Sequence, residues 1–127
     1  MTTVQEQIAV IRVAAALLAD RAALVPPGPW TAKRILEREV ICDPSGRIVA
    51  RIPEGIGGAE KDSGAYLELC DPRSARLVAA LLNAVADGAE LALKLLPTAV
   101  PDDMPAEVAG YDEALGLARH LLGKAEL

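Results

Sequence analysis

Residues able to do chemistry are few in this sequence, and they are scattered. The one histidine, His120, falls late in a helical run, and no second histidine or cysteine stands at metal-ligand spacing from it. A basic side chain near a helix C-terminus complements the helix dipole, which accounts for His120 without catalysis. The doublets Asp102-Asp103 and Asp112-Glu113 could serve acid–base work or a divalent cation. Adjacent residues on a helix diverge, however, so solvated charge and helix-start stabilisation explain them better. Gly55-Ile56-Gly57-Gly58 lacks the frame of a phosphate cradle, because Lys61-Asp62-Ser63 follows and no helix start sits directly after the glycines. Ser45 and Ser74 have no context that would activate a nucleophile. Catalytic, cofactor-binding and metal-binding residues are therefore not expected, and a non-enzymatic role is the favoured reading.

Two cysteines, Cys42 and Cys70, are too few for a disulfide framework and read as two buried thiols. The arginines Arg34, Arg38, Arg47 and Arg51 concentrate around one predicted hairpin, a motif that can read nucleic acid. The chain carries a net charge of −5, which repels a phosphate backbone, and acidic neighbours offset these arginines. Nucleic-acid binding is thus disfavoured. The charge is uneven, with six acids against two bases from Pro97 onward.

A chain of 127 residues fits a single domain. Hydrophobic residues make up 52% of it, but only 2% are aromatic and phenylalanine is absent. Such a core is filled by Leu, Ile, Val and Ala, which favours close helix packing over a wide aromatic pocket. Glu6, Arg12 and Asp20 interrupt the N-terminal apolar run, so it reads as neither a signal peptide nor a membrane span. A cytoplasmic protein with no membrane contact is expected.

The elements that must position these residues make an α+β, helix-rich chain. Thr3-x-x-Glu6 has capping-box spacing. Val4, Ile8, Ile11, Ala15, Leu18, Ala22 and Val25 then follow on one helical stripe, to about residue 25. That stripe is read as core-facing, with Ile8, Ile11 and Leu18 as interface candidates if it is instead a seam between copies. Pro26-Pro27 ends the helix. Pro27-Gly28-Pro29-Trp30 makes a stiff corner, with Pro29 and Trp30 as its structural residues.

A hairpin is predicted from strands at about 35–42 and 47–52. Asp43-Pro44-Ser45-Gly46 forms its type I turn, and Gly46 takes the left-handed position. The implied register pairs Cys42 with Ile48, Val40 with Ala50 and Arg38 with Ile52 on the core face. Ile41 with Val49, and Glu39 with Arg51, fall on the outer face. Ile41 and Val49 are candidates for contact with another subunit. A loop over 53–64, a short helix at about 63–70 and a helix from Pro72 to about Leu96 follow. The last of these carries Leu77, Leu81, Val85 and Leu95, with Gly88 as a potential break. After a linker over 97–105, a final helix over about 105–122 is expected. Val108, Tyr111, Leu115, Ala118 and Leu122 form its stripe, and Gly123 its cap.

The order Pro27-Gly28-Pro29-Trp30, Asp43-Pro44-Ser45-Gly46, Asp62 to Cys70, and Asp71-Pro72 leading to Leu81-Leu82 resembles a group of small phage, prophage and actinobacterial proteins that includes the Ead-like phage proteins. The resemblance spans roughly residues 27–96, and Pro-Gly-Pro-Trp is its most telling element. This chain has Val25-Pro26 before the tetrapeptide, where the group tends to have Ala-Thr, and it adds the final helix. The resemblance implies a phage-related or accessory origin and supplies no catalytic residues.

The expected function is a non-enzymatic interaction protein, with a second copy of itself as the favoured partner and an unidentified protein as another. The alternative is a small-molecule or nucleotide binder using the 53–64 loop. A weaker one is nucleic-acid binding by the hairpin arginines.

Overall fold

Helix α1 (Val4–Ala23) starts where the capping box places it. The Glu6 amide donates to Thr3 Oγ1 at 3.1 Å, and the Thr3 amide donates to Glu6 Oε2 at 3.2 Å. The helix stops two residues short of the expected end. The Leu24 amide donates to the Arg21 carbonyl at 3.1 Å, tightening the last turn before Pro26-Pro27. The computed structural model describes residues 3–52, 59–95 and 108–125, and over these the chain is α+β and helix-rich.

Three antiparallel strands form one sheet in the order β1 (Thr31–Ile35), β2 (Arg38–Cys42), β3 (Ile48–Arg51). The single hairpin predicted from strands at 35–42 and 47–52 is therefore corrected. Its first strand breaks at a two-residue turn, Leu36-Glu37, and residues 31–35 fold back on β2 as a further strand, pairing Thr31 with Cys42 and Ile35 with Arg38. Leu36 and Glu37 hold φ of 51° and 65°. Two left-handed central residues are what a tight hairpin turn of the primed type demands, and Asn-Gly is its usual signature. Leu-Glu hides the turn from the sequence.

The second turn forms as predicted. The Gly46 amide donates to the Asp43 carbonyl at 3.0 Å, the Asp43 amide to the Arg47 carbonyl at 2.9 Å, and Gly46 has φ +88°. Cys42 pairs with Ile48, as expected. Beyond that point the register differs, because the extra residue Val49 bulges out of β3 and Ile41 then pairs with Ala50 and Val40 with Arg51. Ile41 lies with Glu39 on the face that α2 covers, and the slip carries Arg51 to the other face, opposite Val40.

Helix α2 (Ala59–Glu68) begins four residues before the expected Ser63 and packs on β1 and β2. Gly64 lies at that contact. A Cβ there would stand 3.1 Å from Ile52 Cδ1 and 3.3 Å from Ala32 Cβ, so a larger residue would push these neighbours back by a few tenths of an ångström. Helix α3 (Pro72–Leu95) runs through Gly88 without a break. Helix α4 (Tyr111–Ala125) starts later than expected, after Gly110 at φ +78°, and it runs through Gly123 rather than ending there. Residues 53–58 and 96–107, with most of the predicted loop and the whole predicted linker, lie outside the described residues. No described helix is long and apolar enough to cross a membrane.

Contacts divide the chain into two units, residues 1–18 with 78–127, and residues 19–77. In the first, Ile8, Ile11, Ala14 and Ala15 of α1, Ala79, Leu82, Ala86 and Ala89 of α3, and Tyr111, Leu115 and Ala118 of α4 are buried. In the second, Val40, Ile41, Cys42 and Ile52 are buried. The spacing on α3 has a consequence for function. The buried residues 79, 82, 86 and 89 are mostly alanines, whereas Leu77, Leu81, Leu91 and Leu95 are exposed.

Candidate functional site

The interface candidates from the sequence are mostly enclosed by the chain's own fold. Ile41 is 1% exposed, Ile8 and Ile11 are buried, and Leu18 and Val49 are half-buried. Leu24, Leu36, Tyr66 and Leu69 are exposed singly or in short runs, whereas α3 exposes a longer apolar row. Leu81, Leu91 and Leu95 are 66%, 56% and 70% exposed, with exposed Ala84 and half-buried Gly88 between them. Positions 81, 84, 88, 91 and 95 alternate steps of three and four, which keeps them on one seam. Leu77, four residues earlier on the same helix, is also exposed. A sequence reading that groups the large leucines misses which side they take. The signal was the parallel alanine series at 79, 86 and 89, small enough for close packing inside.

The polar groups are committed to structure. Arg12 of α1 reaches across to α3, with NH2 at 2.8 Å from both Asp87 Oδ1 and Glu90 Oε1. Asp87 first and Glu90 second raise the guanidinium's already high pKa. The Tyr111 hydroxyl donates to Gln7 Oε1, tying α4 to α1, and burial raises its pKa.

In the second unit, Asp71 joins two sequence motifs. It caps α3 by accepting the Ser74 amide at 3.0 Å, and its other oxygen accepts the Trp30 amide at 3.4 Å, with Arg73 Nε at 3.5 Å. Burial opposes its charge, but the two amides and Arg73 outweigh burial and hold its pKa below the ordinary aspartate value. Trp30 itself is half-buried, and its indole N–H donates to the Pro26 carbonyl at 2.9 Å. A Cβ on Gly28 would stand 2.7 Å from Asp71 Oδ2, which explains the glycine between Pro27 and Pro29.

Asp43 is the counterpart at the second hairpin turn. Its Oδ1 accepts the Ser45 hydroxyl at 2.7 Å, the Ser45 amide at 3.0 Å and the Arg47 amide at 2.9 Å. The Ser45 hydroxyl, foremost, lowers its pKa. Ser45 is therefore a turn residue.

The remaining candidates do not converge. His120, Asp112 and Glu113 are exposed on α4, the two acids in its first turn. Among the described residues no cluster of histidine, cysteine or acid could hold a metal ion, and no buried polar side-chain atom lacks a partner. Both cysteines are free, with Cys42 buried and Cys70 exposed, so only one of the two expected buried thiols is buried. Of the hairpin arginines, Arg47 faces Asp43 at 3.4 Å and Arg34 faces Glu39 at 3.6 Å. The expected Glu39–Arg51 pair does not form, because the bulge places Arg51 opposite Val40. A cavity of about 580 Å³ opens against the sheet beside Arg38 and Arg51. No family model, curated protein or solved structure matches the chain.

Proposed function

We propose that this chain is a non-enzymatic interaction protein that associates with a second copy of itself through the leucine face of α3. The observation that carries this reading is the exposure of Leu81, Leu91 and Leu95 on one heptad-spaced seam. A sustained apolar seam exposed to water marks an interaction surface, whereas isolated exposed leucines do not. Steps of three and four are the spacing at which helices pack knobs into holes, and a seam of this kind is self-complementary about a two-fold axis. The opposite face of the same helix, with Ala79, Leu82, Ala86 and Ala89, is already used inside the fold. The resemblance of residues 27–96 supports a phage-related or accessory role, and the exposed free thiol of Cys70 suits the reducing cytoplasm.

Sedimentation equilibrium over a wide concentration range tests the reading. A reversible dimer that persists at high salt is expected, since salt screens charge and not apolar contact. A single monomeric species up to about 1 mM, the concentration at which even 4 kcal/mol of affinity is visible, overturns it.

A further inference from the structure

The seam on α3 reads the same from either end of the helix. From the N-terminal side it runs Leu77, Leu81, Ala84, Gly88, Leu91, Leu95, in steps of four, three, four, three and four. Reversed, the steps are unchanged, leucine falls on leucine, and Ala84 changes places with Gly88. The two small residues therefore stand at its centre. A Cβ added to Gly88 would meet only Val108 Cγ1 within 4 Å, at 3.7 Å, so beyond Val108 nothing fills the seam at that point.

The residues beside the seam distinguish the two ways in which a pair of such helices can meet. Along one side run Val78, Val85 and Ala92, apolar and half-buried. Along the other run Ala80, Asp87 and Lys94, all exposed. Parallel helices related by a two-fold axis set each side against the opposite side of the partner, so Asp87 and Lys94 would lose water against valine and alanine. Antiparallel helices set each side against its own counterpart. Apolar then meets apolar, and the charges stay together at the exposed rim. One juxtaposition opposes this arrangement: the two Asp87 carboxylates come opposite each other at the axis, where like charges repel. Each is already answered within its own chain, because Arg12 NH2 lies 2.8 Å from Asp87 Oδ1. Lys94 falls opposite Ala80 of the partner subunit and meets no like charge there.

We propose that two copies pair through α3 in antiparallel orientation, Leu81 against Leu91 of the partner subunit and Ala84 against Gly88 of the partner subunit, with Arg12 neutralising the centre of the interface. This geometry rests on self-association through α3. The small residues at the axis let the two helices approach closely, and the leucines on either side close over the contact. Arg12 then has a role beyond joining α1 to α3, since it removes the repulsion that the two-fold axis creates at Asp87.

Cysteine cross-linking of the full chain, in a Cys70→Ser background with oxidised glutathione, tests the orientation, and sedimentation equilibrium of the parent chain tests the association beneath it. In the antiparallel pair Leu81 faces Leu91 of the partner subunit and stands ten residues, about 15 Å along the axis, from the other Leu81, beyond the reach of a disulfide. Leu81→Cys and Leu91→Cys are therefore expected to give covalent dimer when mixed and none when oxidised alone. Covalent dimer from each variant alone overturns the orientation and leaves the association standing. A parent chain that sediments as a dimer while no combination cross-links overturns the pairing through these leucines. A monomeric parent overturns association and orientation together. At low salt Arg12→Gln is expected to weaken the dimer by roughly 2- to 5-fold, and Asp87→Asn added to it to restore the parent affinity. Equal affinities of the parent and Arg12→Gln remove Asp87 from the axis and overturn the register.

Discussion

Leu81→Glu is the substitution that most directly tests the α3 seam. Leu81 is 66% exposed, and full burial of a leucine side chain is worth about 1.5–3 kcal/mol, so covering what remains is worth about 1–2 kcal/mol. A two-fold dimer contains the residue twice. The substitution therefore removes about 2–4 kcal/mol of association, a loss of roughly 30- to 700-fold in dimer affinity, before the cost of desolvating a carboxylate is added. Within the monomer the change is nearly silent, because the site is exposed and glutamate is a good helix former, so folding stability should move by about 0.5 kcal/mol or less. Sedimentation equilibrium of both proteins reads the first quantity, and urea denaturation followed by circular dichroism reads the second. Unchanged dimer affinity with unchanged stability would refute the assignment of the seam to α3. A large loss of stability would refute the placement of Leu81 on the outside.

Three further outcomes follow from the packing and the turns. Leu36→Asn with Glu37→Gly supplies the residues a primed turn prefers, and relieving two left-handed L-residues should raise stability by about 1–2 kcal/mol in urea denaturation after the added flexibility of glycine is subtracted. Ala86→Leu places a larger side chain at a fully buried contact on the inner face of α3 and should cost about 1–3 kcal/mol, whereas Ala84→Leu on the outer face should be nearly neutral to folding. Asp43 and Asp71 both have folded pKa values below the ordinary value, so the stability they contribute is present above about pH 4 and is lost as pH falls through that value toward their folded pKa. Asp43→Asn and Asp71→Asn should each lower the melting temperature at pH 7, and the differences from the parent chain should shrink toward pH 3.

The parts of the fold that rest on local chemistry were legible in the sequence. Thr3 and Glu6 form their capping box, Asp43 to Gly46 form their turn, and Asp71-Pro72 opens α3. What was not legible depends on partners distant in sequence. The turn at Leu36-Glu37 is imposed by the pairing of β1 with β2 against local preference, so one strand was read where two exist. The bulge at Val49 shifts the register by one residue and carries Arg51 to the face of Val40, which no turn signal reports. The α3 seam was missed for a related reason: a helix with apolar residues on two sides does not announce which side the fold covers. Alanine proved the inner residue there, with Ala79, Ala86 and Ala89 buried and the leucines left outside.

The two free thiols also make the sheet its own reporter. Cys70 is exposed beside the Tyr66 carbonyl, while Cys42 is buried in the central strand. A thiol reagent added to the folded chain should modify Cys70 at once and reach Cys42 only when β2 separates from its neighbours. The slow second labelling event then counts openings of the sheet one molecule at a time.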